Sequence, residues 1–490
     1  MAFASLTAAA QERPNVIFIL ADDLGYGDLS CYGGEAPTPH VDSLANCGVR
    51  FSNAHAVAST STPSRYGILT GCYPFRRQGT DVAAGNAGMI IKPEQTTVAD
   101  VFHAAGYRTA AIGKWHLGLG ARTAEQNWNG CLDQTPADLG FDYHYIMAAT
   151  ADRVPCVFIE QGRVANYDDT APIEVDYQKP FAGEPTARNN PELLTTQRSS
   201  HGHDQAIVNG IGRIGYMKGG GRALWRDEDI ADSLVSHTEK FLRETPRNTP
   251  FFMYLCTNDV HVPRQPHERF RGTSKMGLRG EAILQFDWTV GQICDILDRL
   301  NLSDNTLIVI TSDNGPVLDD GYDDRAEELV GTHRIGGPFR GGKYSAFEAG
   351  NAVPLIVAGA GTKAKTSDAL VSHIDFLGSM AALIGQPVPE GSDSRNALKT
   401  WLGQSKKPAE FHISMASNRS LEIRTQRWKY IEPSNGAPII PWGPKIETGY
   451  SKAPQLYDLK NDVGERKNEA EKRPKTVKKL KDLLTHIINF

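Results

Sequence analysis

The sequence predicts an α/β fold: a large mixed, mostly parallel sheet sandwiched by helices, followed by a smaller C-terminal α+β subdomain. Two observations carry this. Five short runs, residues 15–21, 109–112, 250–256, 306–311 and 353–358, are continuously apolar rather than alternating, as strands buried on both faces of a parallel sheet are. Helical patterns intervene at residues 39–47, 97–105, 227–243 and 281–300, and strand–helix alternation over such a length builds a parallel sheet. With 490 residues the chain exceeds what one compact core organises. We therefore expect an α/β domain over residues 13–400 and the subdomain over 401–490. The subdomain is read from an edge strand at 421–431, another strand at 455–459, and an amphipathic, basic last helix at 474–488 that opens on a proline, as suits a first helical position.

Four of the five runs end in polar clusters. The first leads into Asp22-Asp23, the second into Lys114-Trp115-His116, the third into Asn258-Asp259-Val260-His261, the fourth into Asp313-Asn314-Gly315. In open α/β sheets ligands bind beyond the carboxyl ends of the strands, so these clusters are expected to meet in one crevice. Asp22, Asp23, Asp313 and Asn314 would then crowd three carboxylates and an amide together. Like charges so placed repel, and a divalent cation resolves the conflict. Hard oxygen donors suit Ca²⁺ or Mg²⁺ rather than zinc or copper. A turn explains Asp-Asp or Asp-Asn-Gly singly; it does not explain both at the ends of two buried strands. Histidine as a residue type titrates near neutral pH, which makes His116 and His261 the candidate acid and base.

Composition excludes several classes. The net charge is −5 and no basic stretch marks a nucleic-acid partner. No apolar run is long enough to span a membrane. The seven cysteines contain no Cys-x-x-Cys pair, which excludes a zinc ribbon or thioredoxin site; zero to two disulfides are expected. Residues 1–12 are small and mildly apolar, and read either as the remnant of a secretory signal or as a disordered tail.

The segment Ser61-Thr62-Pro63-Ser64-Arg65-Tyr66-Gly67-Ile68-Leu69-Thr70-Gly71 is the most telling. A proline turn entering a helix accounts for its serine and proline alone. Together with the strand-end clusters it resembles the signature of formylglycine-dependent sulfatases, arylsulfatase-like members of the alkaline phosphatase superfamily. Residues 38–45 and 48–51 resemble the usual entry to that signature. Residues 113–118, 312–315 and 372–377 follow in family order, and Leu456-Tyr457-Asp458-Leu459 with Glu465 resembles the C-terminal signature. Two departures stand out: the segment 349–354 lacks the arginine common before Val-Pro, and Asn258-Asp259-Val260-His261 replaces the commoner Pro-His.

The resemblance implies an alkaline-phosphatase-like fold and oxidation of Ser61 to formylglycine, whose hydrated aldehyde attacks sulfur. It implies Ca²⁺ on Asp22, Asp23, Asp313 and Asn314 with residue 61 alongside. It implies Arg65, Lys114 and Lys343 around the sulfate, His116 as base and His261 as acid. A serine rather than a cysteine at the modified position implies a partner of the oxygen-independent, anaerobic type of sulfatase-maturing enzyme. A sulfated glycan substrate and a periplasmic or secreted location follow from the same resemblance. The substrate expectation is a galactose- or N-acetylgalactosamine-type sulfate, cleaved from a chain end. Its alternatives are an N-acetylglucosamine 6-sulfate or other glycosaminoglycan sugar, and a phosphodiester or phosphonate ester. His201 and His203 in the polar loop 199–205, with Arg325 in the turn 319–325, are the expected sugar contacts beside Lys114 and Lys343. Trp115, Tyr216, Trp225 and Tyr322 are the expected ring-stacking groups. The glycine-rich stretches 215–221 and 336–342 read as substrate loops.

Overall fold

A computed structural model describes residues 13–490; the expectation for residues 1–12 lies outside the described residues. Among the described residues the main sheet has eleven strands. In spatial order ten of them are Lys365–Ser367, Val49–His55, Ala352–Gly359, Thr306–Ser312, Asn15–Ala21, Phe251–Cys256, Arg108–Lys114, Tyr143–Met147, Phe158–Glu160 and Arg163–Val164; the short strand Val371–Ser372 pairs with Val49–His55. The five from Thr306–Ser312 to Tyr143–Met147 run parallel. Four of these are the strands predicted to end in polar clusters, and they lie side by side.

Burial explains why their sequences are unbroken apolar runs. Every residue of Asn15–Ala21, Phe251–Cys256 and Thr306–Ser312 is buried, and each large apolar side chain so enclosed contributes about 1.5–3 kcal/mol. Two expectations are corrected. Ala352–Gly359 is antiparallel to both its neighbours; a continuous apolar run reports burial on two faces, not strand direction. The segment 421–431 is not one edge strand but two inner strands, Leu421–Arg424 and Trp428–Ile431, joined by a turn in a four-stranded antiparallel sheet with His412–Met415 and Gln455–Asp458 outside them. The last helix, Pro474–Asn489, lays Leu480 and Leu484 on that sheet against Ile413, Ile423, Tyr430 and Leu456. All seven cysteines are free thiols.

The small sheet is joined to the large one by backbone and by charge. Ser59 and Met415 are bonded main chain to main chain at 3.0 Å, and Met415 N–H donates to the Val57 carbonyl at 3.0 Å. Beside this seam the ammonium of Lys429, fully buried, lies among three buried carboxylates: Glu348 and Glu465, each at 3.1 Å, and Glu422. Arg424 pairs with Glu348. Burial, with the charge of Glu348 beside it, pushes Glu465 up to about 7 despite Lys429. Removing one partner of a buried ion cluster leaves uncompensated charge, at about 3–5 kcal/mol. Lys429→Met is therefore expected to lower unfolding stability by about that amount in denaturant titration; a loss below about 1 kcal/mol would show that the cluster does not bolt the two sheets together.

Candidate active site

The register of the parallel strands assembles the site. Leu20 pairs with both Cys256 and Thr311, and Ala21 with Ser312, so Asp22 and Asp313 leave the sheet at the same level, with Asn258 beside them. On the next strand Gly113 has φ +95, and a Cβ there would lie 1.9 Å from the Cys256 carbonyl; only glycine permits the turn that carries Lys114 into the crevice. The buried helix Ser61–Thr70 begins at Ser61, so its positive end faces the same point.

The polar groups there are tightly interlocked and buried. Lys114 Nζ donates to Ser61 Oγ at 2.8 Å and lies 2.6 Å from Asp22 Oδ1. Ser61 Oγ is 3.4 Å from both Asp22 Oδ1 and Asn314 Oδ1. Asn314 Nδ2 donates to Asp23 Oδ1 at 2.7 Å. Arg65, with no exposed surface, donates twice to Asp313 Oδ2, at 3.0 and 2.7 Å. Lys343 Nζ bridges Asp23 and Asp320, 2.8 Å from each. Burial raises Asp313, but Arg65 and Lys114 overcome it and hold its carboxyl far below the usual range. Burial likewise opposes the charge on Lys343, and Asp23 and Asp320 restore it. Asp22 goes the other way: burial outweighs Lys114 and raises it.

These residues fit a hard cation. Asp22 Oδ2 is buried without a hydrogen-bond partner, and one ligand atom from each of Asp22, Asp23 and His261 lies within 4.8 Å of the others. His261 lies beside this oxygen donor set, and its imidazole is not one of the hard oxygen donors.

The two histidines are in different states of engagement. His116 Nε2 donates to the Ala83 carbonyl at 3.0 Å, which leaves Nδ1 unprotonated; it is buried and has no partner. Burial, then Lys114 and Arg153, hold its pKa well below the usual histidine value. His261 Nδ1 donates to the Val262 carbonyl at 2.6 Å, so Nε2 faces Asp23, 3.8 Å away. Asp23, His116, His203 and Tyr344 have φ of +58, +58, +50 and +76. Non-glycine residues held there cost energy, and such strain concentrates at functional sites.

Ser61, His116, His261 and Lys343 line one cavity of about 700 Å³ together with His201 and His203. Arg65 and Lys114 lie beneath its floor, so Lys114 is not a wall contact as expected. Arg325 is corrected outright: its side chain is 60% exposed, pairs with Glu328 and does not line the cavity. Trp115, Trp225 and Tyr322 are buried core groups, and Tyr216 lies off the cavity in a short ribbon with Glu174–Asp176. That ribbon corrects the reading of 215–221 as a loop throughout. His203 is committed on both nitrogens, to Asp152 at 2.9 Å and to the His201 carbonyl at 3.2 Å; His201 Nε2 has no protein partner among the described residues.

Several cavity residues were not found from sequence. Asp152 and Arg153 follow Tyr143–Met147, the fifth parallel strand; the strand-end rule that found the other clusters finds these once the short run 143–147 is read as a strand. Asp320, Tyr344 and Trp442 carry no local signal.

A covered parallel sheet that gathers a serine, histidines, carboxylates and fixed cations at its carboxyl edge is built to hydrolyse an anionic ester. The chain belongs to the sulfatase family, whose model matches residues 14–386, and is a sulfuric ester hydrolase. It is 48% identical over 480 residues to N-acetylgalactosamine-6-O-sulfatase of Bacteroides thetaiotaomicron, covering 97% of this chain and 93% of that protein. Human arylsulfatase A is 28% identical over 479 residues, 94% of this chain and 84% of its own. A solved structure concerned with metabolism of multiple glycosaminoglycans by Bacteroides thetaiotaomicron superposes with a TM-score of 0.95 at 48% identity, covering 98% of this chain and 100% of that one. A Pseudoalteromonas sulfatase with a TM-score of 0.71 and 22% identity, covering 97% and 90%, shares the fold.

The geometry makes Arg325 a control position. Arg325→Ala should change catalytic rate by less than about twofold and stability by less than about 0.5 kcal/mol, as exposed substitutions do; a tenfold loss in steady-state kinetics would return Arg325 to the substrate site.

Proposed function

We propose that this chain is a carbohydrate sulfatase that removes the 6-sulfate of an N-acetylgalactosamine- or galactose-type sugar at the end of a glycan, with residue 61 working as formylglycine. The observation that carries the proposal is the single cavity with Ser61, Lys343 and two histidines at its base and His201 and His203 on its wall. The name of the 48% identical relative supports the choice of sugar and carbon.

Ca²⁺ held by Asp22, Asp23, Asp313 and Asn314 would neutralise sulfate charge, and a hydrated aldehyde at residue 61 would supply the attacking hydroxyl. The chain's own groups do the rest. Lys114 orients the oxygen of residue 61 from 2.8 Å. Arg65 fixes the Asp313 carboxylate toward the crevice and keeps it ionised. Lys343 keeps its charge between Asp23 and Asp320 and presents it to the negative sulfate oxygens, while the charge that builds as the ester bond breaks falls on the departing sugar oxygen. His116 Nδ1, the nitrogen left free by Ala83, would take the proton of the second hydroxyl of residue 61 once the first carries the sulfate, so that the aldehyde re-forms and sulfate is expelled. His261 delivers a proton from Nε2 to the sugar oxygen as it leaves. His201 Nε2 is the free donor or acceptor for a sugar hydroxyl.

Serine at position 61 fits oxidation by a radical, oxygen-independent maturase, and a glycan substrate fits a periplasmic or secreted location. Among the described residues no helix is long and apolar enough to cross a membrane.

Two measurements test the proposal. Peptide mass spectrometry of active protein from its native host should find residue 61 lacking two hydrogens; unmodified serine in fully active protein would overturn the mechanism. A screen of sulfated monosaccharides should rank N-acetylgalactosamine and galactose 6-sulfates above N-acetylglucosamine 6-sulfate by about tenfold or more, because a mispaired buried hydroxyl costs about 1–3 kcal/mol. The reverse order would sink the sugar assignment, and faster hydrolysis of a phosphodiester would sink the sulfate one.

A further inference from the structure

Trp442 stands apart from the other tryptophans. Trp115, Trp128, Trp225 and Trp401 are at most 5% exposed, and the half-buried Trp288 and Trp428 are covered by arginines, Arg269 at 4.0 Å and Arg427 and Arg473 at about 5 Å. Trp442 is 49% exposed and lines the edge of the catalytic cavity. Its one aromatic neighbour among the described residues is Tyr344, met nearly edge-on at 5.2 Å and 81°. Among the described residues no parallel ring and no cation stacks on it. An indole left in water at the lip of a polar cavity is a large unspent apolar surface, and such surfaces mark ligand contacts.

The loop that carries it is braced. Ile439 and Glu447 form a bridge across its base, and Ile440 N–H donates to the Ile446 carbonyl at 2.9 Å. Pro441 and Pro444 flank the Trp442-Gly443 tip and restrict its backbone. Arg340 grips Glu447 through two bonds of 2.8 and 2.6 Å. Gly443 has φ +148, and a Cβ there would fall 2.2 Å from the His201 ring, so the tip presses directly on the free histidine of the cavity wall. A short relay runs down from the indole: Tyr344 donates to Asp320 at 2.8 Å, and Asp320 takes Lys343 at 2.8 Å. The tryptophan is thus held at a set height above the sulfate-binding lysine.

We infer that the mouth of the cavity is a second sugar subsite, in which Trp442 stacks on the C–H face of the pyranose next to the sulfated one. The inference rests on the sulfatase reading of the cavity floor. The cavity's volume, about 700 Å³, exceeds what a single pyranose sulfate fills. Val82, 43% exposed, is the other exposed large apolar residue that lines the cavity among the described residues. The cations that line the cavity are already paired, Arg188 with Asp204 at 2.9 Å, Arg153 with Asp152 at 3.0 Å and Lys343 with Asp23 and Asp320 at 2.8 Å. The subsite therefore recognises the apolar face of a ring rather than an acid group on it. Because loop and ring are fixed beforehand, stacking costs little ordering entropy.

The test compares N-acetylgalactosamine 6-sulfate with a disaccharide that carries the same sulfated sugar at its non-reducing end on a second pyranose. The wild type should process the disaccharide with the higher kcat/KM. Trp442→Ala should lower kcat/KM for the disaccharide about tenfold, through KM, and change the monosaccharide less than about twofold. Trp442→Phe should retain most of the difference. In the turnover-free Ser61→Ala background, calorimetry should register the same disaccharide-specific loss of affinity. Equal losses on both substrates would mean that Trp442 touches the sulfated sugar itself, and no loss on either would make it a bystander; each overturns the second subsite. If the wild type hydrolyses neither 6-sulfated substrate, the sulfatase reading of the sugar fails instead, and the two failures are told apart.

Discussion

The structure depends on one electrostatic constraint: three aspartates are forced to the same level at the carboxyl edge of adjacent strands. Asp22 and Asp313 leave the sheet from paired positions, Ala21 opposite Ser312, and Asp23 follows. Buried carboxylates so close repel strongly in a low-dielectric interior. Each is answered by a cation brought from elsewhere in the chain, Arg65 for Asp313, Lys114 for Asp22, Lys343 for Asp23. Those three partners arrive on a buried helix, on a neighbouring strand and on a glycine-rich loop. The requirement to neutralise the aspartates therefore fixes the relative positions of most of the catalytic domain's elements.

The balance is incomplete, and what it leaves open fits a cation. Asp22 Oδ2 has no partner, and burial raises Asp22 although Lys114 lies 2.6 Å away. A crevice satisfied by its own lysines would be a structural salt-bridge cluster, inert to ligands. One with an orphaned carboxylate oxygen, an amide oxygen and a serine oxygen close together offers donors that fit an added cation, which would in turn suit an added anion.

Much of this was legible in the sequence because the strand-end rule links a one-dimensional pattern to a three-dimensional place. Continuous apolar runs located Asp22, Asp23, Lys114, His116, His261, Asp313 and Asn314, and the parallel register brought them together. Strand direction was not legible for Ala352–Gly359, because burial on both faces is the same in either direction. Asp152 and Arg153 were hidden behind a strand whose Tyr-His-Tyr-Ile-Met run is short and broken by a histidine. Arg325 was misjudged because closeness in sequence to a site loop says nothing about where a long side chain finds its partner; Glu328 was three residues away. Trp442 lies some hundred residues beyond Lys343, and only folding places it above that lysine.

The placing of Trp442 above Lys343 gives the small C-terminal sheet its purpose. Most cavity residues come from the α/β domain, yet Met415, Ala416, Ser417 and Trp442 come from the subdomain. A wall built by a separate layer keeps its shape only if the seam between layers is stiff. The seam here combines backbone pairing of Met415 with Val57 and Ser59, an apolar cluster shared by Ile413 and Ile374, and the buried ammonium of Lys429 among carboxylates of both layers. Buried ion clusters add little net stability, but they tolerate few alternative arrangements. The catalytic floor can thus stay constant while loops on the braced subdomain, such as the one carrying Trp442, set which glycan reaches it.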